Sequence, residues 1–118
     1  FMHIGAMESD AGGFVPRGFR IDANDAPTSV IRGWSELFDP YNIHLFRRGG
    51  AGVDISPLKS LTPRPTLIGL SPDGQRYFDF HHSSQDVFEN VHKRELELGA
   101  ATFAAALVML DQYLPSPE

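Results

Sequence analysis

The chain contains no cysteine. That excludes disulfide staples and thiolate zinc sites, and it leaves the redox compartment open. Positive charge is also scarce: 10 Lys and Arg stand against 15 Asp and Glu, a formal net charge of −5. An acidic balance argues against a nucleic-acid partner, which selects a basic face. Long hydrophobic runs are missing. The longest, Leu98–Leu110, is too short and too rich in alanine to span a bilayer. No signal peptide, internal repeat or low-complexity tract is recognisable. There is no H-E-x-x-H motif and no adjacent pair of acids, and the glycine run Gly49–Gly52 lacks the G-K-S/T ending of a phosphate loop. By composition alone the chain does not complete a hydrolytic metal site.

What is present is the material of one small globular domain, 118 residues of which 42% are hydrophobic and 21% charged. Phe1-Met2-His3-Ile4-Gly5-Ala6-Met7 reads as an apolar strand that begins at once, the expectation for a piece cut from a longer protein. This first strand, Met2–Met7, runs into Glu8-Ser9-Asp10 and then Gly12-Gly13. Pro16 and Arg17 lead to an irregular polar segment, Asp22–Pro27, a loop by composition. Thr28 or Ser29 caps a helix that runs to Phe38, with Val30, Ile31, Trp34, Leu37 and Phe38 at helical spacing. Asp39-Pro40 stops it. A strand over Asn42–Phe46, a glycine turn, a short helix over Asp54–Leu61 and a strand over Thr66–Leu70 follow. Ser71-Pro72-Asp73-Gly74 is a turn.

Tyr77, Phe78 and Phe80 mark the end of a further strand, which delivers His81 and His82 into a polar loop. Asp86 and Glu89 have capping-box spacing. The last helix runs from Lys93 to Tyr113, with Leu96, Ala100, Phe103, Leu107, Leu110 and Leu114 as one stripe and apolar residues on its other faces, so it is expected to be buried against a sheet. Strands alternate with helices throughout. That order predicts an α/β fold with a largely parallel sheet of three or four strands.

Asp10 and His82 each follow a strand, and in a parallel sheet both emerge at the same edge. A carboxylate and an imidazole are an ordinary pair of zinc ligands, but two ligands are not a site. His3, His44 and His92 have no zinc-like spacing. Neighbours on a strand point to opposite faces, so only one of His81 and His82 is expected at the site face; the other orients substrate or packs. A histidine near a strand end is more often a structural group than a ligand. Asp86 either caps the following turn or holds the imidazole of His82 in its metal-binding tautomer. Glu8 is a weaker candidate, as a general base.

M-E-S-D-A-G-G-F-V-P-R-G-F at Met7–Phe19 resembles the binuclear zinc exopeptidases of the carboxypeptidase Q and bacterial aminopeptidase type. Y-F-D-F-H-H-S-S-Q-D at Tyr77–Asp86 resembles the last ligand motif of that family, a histidine followed four residues later by aspartate. G-A-G-V-D-I-S-P-L at Gly50–Leu58 and E-L-E-L-G-A-A at Glu95–Ala101 fit in the same order, so the resemblance covers nearly all of the chain. It implies the C-terminal part of a zinc-peptidase catalytic domain over residues 1–118, a partial three-layer sandwich with a mostly parallel sheet. It also implies two zinc ions, one held by Asp10 and the other by His82, with Asp86 and His81 beside them. The loops Gly13–Arg17 and Gly49–Asp54, by their position beside these ligands, are expected to wall the substrate pocket. Val87 stands where the family has threonine.

The family's H-x-D motif, bridging aspartate and Glu-Glu pair, with the general base, belong upstream of this chain. The resemblance therefore implies a peptide substrate, inactivity of the fragment alone, and the upstream part of the same domain as partner. Export of many family members favours a secreted or periplasmic location. A rival reading is a non-catalytic α/β binding module, or two copies joined through an exposed sheet edge.

Overall fold

Residues 16–22 read Pro-Arg-Gly-Phe-Arg-Ile-Asp, an alternation that sends Phe19 and Ile21 to one side and Arg20 and Asp22 to the other. In the structure, a computed structural model that describes residues 2–74, 81–85 and 87–114, this segment is a strand. We label the strands β1 (Gly5–Glu8), β2 (Pro16–Asp22), β3 (Leu45–Arg48) and β4 (Thr66–Pro72). Together they make one sheet in the order β1-β4-β2-β3. The sequence pattern predicts no strand at 16–22, because proline, glycine and two arginines dilute a run with only two large apolar side chains. The strand forms because both of its flanks are occupied and both apolar residues are buried.

The sheet is mixed rather than mostly parallel. β1 runs parallel to β4, and β2 runs parallel to β3, but β2 and β4 are antiparallel. The registers place Met7 beside Ile68, Ile68 beside Ile21, Leu70 beside Phe19, and Phe19 beside Phe46. These side chains share one sheet face and form the floor of the core. The Phe19 ring meets Phe38 and Phe46 edge-on, with centroids 5.6 and 5.5 Å away.

The predicted helix ending at Phe38 is two helices, α1 (Asp25–Gly33) and α2 (Ser35–Phe38). Thr28 does not cap α1 but lies inside it, buried, and its hydroxyl donates to the Asn24 carbonyl at 2.8 Å. Asn24 is the cap residue, and Asp25 places a negative charge in the first turn, where the helix dipole favours it. Ile31, Trp34 and Phe38 all enter the core from this segment. The expected short helix at 54–61 is a 3-10 turn over Ser56–Ser60.

The final helix, α3 (Lys93–Tyr113), has the boundaries that the apolar pattern predicts. Its buried face does not. Gly99, Thr102, Ala106 and Leu110 are buried, whereas Leu96 and Leu107 are 50% and 57% exposed. The contact line is rotated toward small residues, which let the helix axis approach the sheet. The buried Thr102 hydroxyl is satisfied within the helix by the Leu98 carbonyl at 2.7 Å. The helix packs against the sheet as expected, with Ala106 and Leu110 in the core, while Leu107 and Val108 leave an apolar flank in solvent.

Both α1 and α3 join the same core cluster as Phe19, Ile21 and Ile68. The opposite sheet face is covered by the segment 49–65. Asp22 accepts ion pairs from Lys59 at 2.8 Å and Arg64 at 2.5 Å. Ala51 packs directly on Gly69 of β4, where a β-carbon would collide with the Ala51 carbonyl oxygen. Because the obstacle is backbone, Gly69→Ala is expected to cost about 1–3 kcal/mol by overpacking. Phe19→Ala is expected to cost about 3–5 kcal/mol by opening the aromatic cluster. Urea midpoints of the two variants against the parent chain check both values, and an unchanged midpoint for Gly69→Ala would show that Ala51 does not seal this face.

Candidate active site

β1 and β4 are parallel, so their carboxyl ends lie at one edge of the sheet, and Pro16 at the start of β2 is brought to the same edge by the antiparallel pairing. The Asp73 amide bonds the Val15 carbonyl there at 2.9 Å and ties the two exits together. Asp10 leaves β1 at this edge and is exposed. Gly13 follows and packs against Val91 and Leu96, at the approach to α3.

His81 and His82 lie in a turn rather than on a strand. The predicted strand over Tyr77–Phe80 and the candidate residue Asp86 lie outside the described residues. The backbone of His82 adopts φ = 52°, a left-handed conformation that few residues other than glycine, asparagine, aspartate and histidine accept. This geometry replaces the alternation of a strand. The two imidazoles turn toward each other, with ring centroids 3.9 Å apart. The expectation that they face opposite sides is therefore corrected. The turn is held by the Gln85 amide donating to Ser83 Oγ at 3.2 Å and by Asn90 Nδ2 donating to the Gln85 carbonyl at 2.6 Å.

Asp10, Gly13, His81 and His82 line a single cavity of about 360 Å³, with Phe14 and Val91 among its apolar lining. A second cavity of about 460 Å³ shares Asp10 and His81 and is bounded by Glu8, Arg20, Gly52 and Ser71. Four of the residues singled out by sequence are thus brought together. Two others are not. Arg17 lies on β2 and lines neither cavity; its carbonyl accepts from the His44 amide at 2.9 Å. Asp54 is exposed, and it is its amide, not its carboxylate, that reaches toward the site.

That amide explains Glu8. Glu8 Oε2 accepts from the amides of Asp54 and Ile55 at 3.1 and 3.2 Å and pins the loop that follows the glycine run. Gly52 makes the approach possible: its φ is +153°, and a β-carbon there would overlap the Glu8 carboxylate. Glu8 is thereby placed as a loop anchor. Arg20 is the cavity residue that sequence reasoning does not find. The signal is the alternation Phe19-Arg20-Ile21, which becomes informative only once 16–22 is known to be a strand.

A catalytic zinc takes three protein ligands. Among the described residues no group of three His, Asp or Glu is placed to hold a metal ion. Asp10 and His82, with His81 beside them, are a partial donor set.

No family model matches the chain, and no solved structure matches it. It is similar to curated proteins named carboxypeptidase Q. Identity to the Bos taurus protein is 29% over 113 residues, which is 92% of this chain and 23% of that protein. Identity to the Homo sapiens protein is 30% over 99 residues, 83% of this chain and 20% of that protein. The Mus musculus protein is 27% identical over 113 residues. The chain therefore spans between a fifth and a quarter of the length of these relatives, and the similarity supports a peptidase-family relationship.

Removing the anchor tests the role of Glu8. In Glu8→Ala, amide hydrogen exchange at Asp54 and Ile55 is expected to accelerate by about tenfold or more, the loss of a charge-assisted hydrogen bond of ~1.5 kcal/mol. Unchanged exchange at both amides would mean that the glycine run, not Glu8, sets the loop.

Proposed function

We propose that this chain is the C-terminal part of a zinc-dependent exopeptidase, an aminopeptidase or dipeptidase, and that it is inactive by itself. The observation that carries the reading is the meeting of Asp10, His81 and His82, distant in sequence, on the wall of one cavity at the strand ends. The similarity to carboxypeptidase Q proteins supports the same reading.

In this reading Asp10 contributes to one zinc position and His82 to the other, with Asp86 orienting the imidazole. Two bound zinc ions would supply Lewis-acid activation of a water and of the scissile carbonyl. The residues of this chain have binding roles. Asp10 and His82 offer donor atoms, His81 buttresses His82 and borders the substrate space, and Phe14 and Val91 give one wall an apolar surface. The remaining ligands and the general base come from the upstream part of the domain. That part would extend the sheet beyond β1, whose only strand neighbour among the described residues is β4, and complete a three-layer sandwich. Peptides would be the substrates. A secreted or periplasmic location follows from the resemblance to an exported family, and no helix among the described residues is long and apolar enough to cross a membrane.

The alternative is a non-catalytic module that retains the peptidase fold and pairs through the same edge. The half-exposed Leu107 and Val108 of α3 favour an association of this kind. A monomer in light scattering at high concentration would count against it.

Zinc binding separates the readings. The chain is expected to bind zinc weakly, with affinity reduced about tenfold or more, ~1.4 kcal/mol per decade, in Asp10→Ala and in His82→Ala. Titration calorimetry on the three proteins measures this directly. Equal affinity in all three would remove the partial donor set and with it the peptidase reading.

A further inference from the structure

We propose that residues 50–62 form a strap that opens as one unit over the second cavity and is held shut by two acids of the sheet, Glu8 and Asp22. The inference concerns access to the cavity and does not depend on the peptidase reading.

The strap is bonded to itself. The Ser56 amide donates to the Gly52 carbonyl at 3.1 Å, the Leu58 amide to the Ile55 carbonyl at 3.0 Å and the Leu61 amide to the Leu58 carbonyl at 3.1 Å. The hydroxyls of Ser56 and Ser60 donate to the Val53 and Pro57 carbonyls at 3.1 and 2.9 Å. Residues 52–61 are thus one hydrogen-bonded piece. The flanks of the strap are fixed. The Gly49 amide donates to the Ile21 carbonyl at 3.1 Å, and Pro65 is fully buried at the entry to β4. Between flank and strap stands Gly50, where a β-carbon would meet nothing within 4 Å, so the backbone has room to turn.

Little apolar surface holds the strap down. Within 50–62 only Ala51 is buried, and Val53 and Leu61 are exposed. Segments with so few buried contacts open at low cost relative to the rest of a fold. The polar links to the sheet are two carboxylates. Glu8, the last residue of β1, accepts from the amides of Asp54 and Ile55 at 3.1 and 3.2 Å. Asp22, the last residue of β2, pairs with Lys59 at 2.8 Å and with Arg64, just past the strap, at 2.5 Å. No other hydrogen bond or ion pair joins 50–62 to a strand among the described residues.

The registers set Glu8 beside Gly69 and Asp22 beside Leu67, so both acids stand on the face that the strap covers. Leu67 is fully buried on that face although it lies outside the core cluster. Returning it to water opposes opening, so the closed strap is the resting form. Gly50, Ala51, Gly52 and Val53 line the cavity of about 460 Å³, to which Asp10, Ser71 and His81 also belong. Release of an acid latch lifts that side of the cavity and widens the way to Asp10 and His81.

Hydrogen exchange tests whether the strap is one unit. In Asp22→Asn, the amides of Asp54 and Ile55, which Asp22 does not touch, are expected to exchange about tenfold faster, together with those of Leu58 and Leu61. Lys59→Gln removes one arm of the same latch from an exposed side chain and is expected to produce a smaller acceleration at the same four amides. Unchanged exchange at Asp54 and Ile55 in both variants overturns the single unit. Equal acceleration at Phe19 and Ile68 in both variants reports global unfolding and also overturns it. A second measurement tests the gate. The chain has no cysteine, so Ser71→Cys supplies a single thiol on the cavity wall. Its alkylation by iodoacetamide is expected to accelerate when Lys59→Gln is added, by the same factor as the exchange. An alkylation rate that Lys59→Gln leaves unchanged, while exchange in the strap rises, overturns the role of the strap in access.

Discussion

The pairing of β2 with β4 holds two otherwise separate parallel ladders in one sheet. On one side of the junction Phe19 and Ile21 face Leu70 and Ile68, and these four residues are the floor on which α1 and α3 both pack. On the other side Arg20 and Asp22 emerge beside Gly69 and Leu67. The junction therefore sorts the chain into an apolar face with helices and a face covered by the segment 49–65. Burying aromatic and branched side chains supplies the free energy, at roughly 25 cal/mol per Å² of apolar surface, and the ladder hydrogen bonds satisfy backbone that this burial removes from water.

The site depends on the same junction. Because β1 and β4 are parallel and β2 is antiparallel to them, the ends of β1 and β4 and the beginning of β2 converge at one edge. Asp10 is the exit of the first, the turn with His81 and His82 lies beyond the second, and Gly13 stands just ahead of the third. Loops gather donor groups there because a rigid sheet fixes where the loops start. The acid nearest the site, Glu8, serves the architecture instead. Its carboxylate is engaged by two amides of the 52–55 segment, so the wall of the second cavity is built before any ligand arrives.

Helix α3 shows how far an apolar pattern can be read. Its length is legible because a long run made mostly of helix-forming residues ends in Leu114-Pro115. The face that meets the sheet is not legible, because leucine, alanine and phenylalanine occupy several faces and hydrophobicity alone does not choose among them. Close approach decides, and it selects Gly99, Thr102 and Ala106 over the larger Leu96 and Leu107.

The amino-acid sequence by itself determined the α/β alternation, the extent of α3, the core of β4, and the candidacy of Asp10 and His82, since these rest on local periodicity, local stop signals and short motifs. Only the tertiary structure decided that 16–22 is a strand, because a segment with two apolar residues in seven becomes a strand when neighbours on both flanks complete its hydrogen bonds. It also decided that the sheet is mixed, since strand direction is a property of how chains return rather than of what they contain. The backbone of the turn at His82 brought both imidazoles to one cavity, against the alternation expected of a strand. The place of Arg20 was decided in the same way: its chemistry is written in the sequence, but the cavity it faces exists only where β1, β2, β4 and the Gly50–Gly52 loop meet.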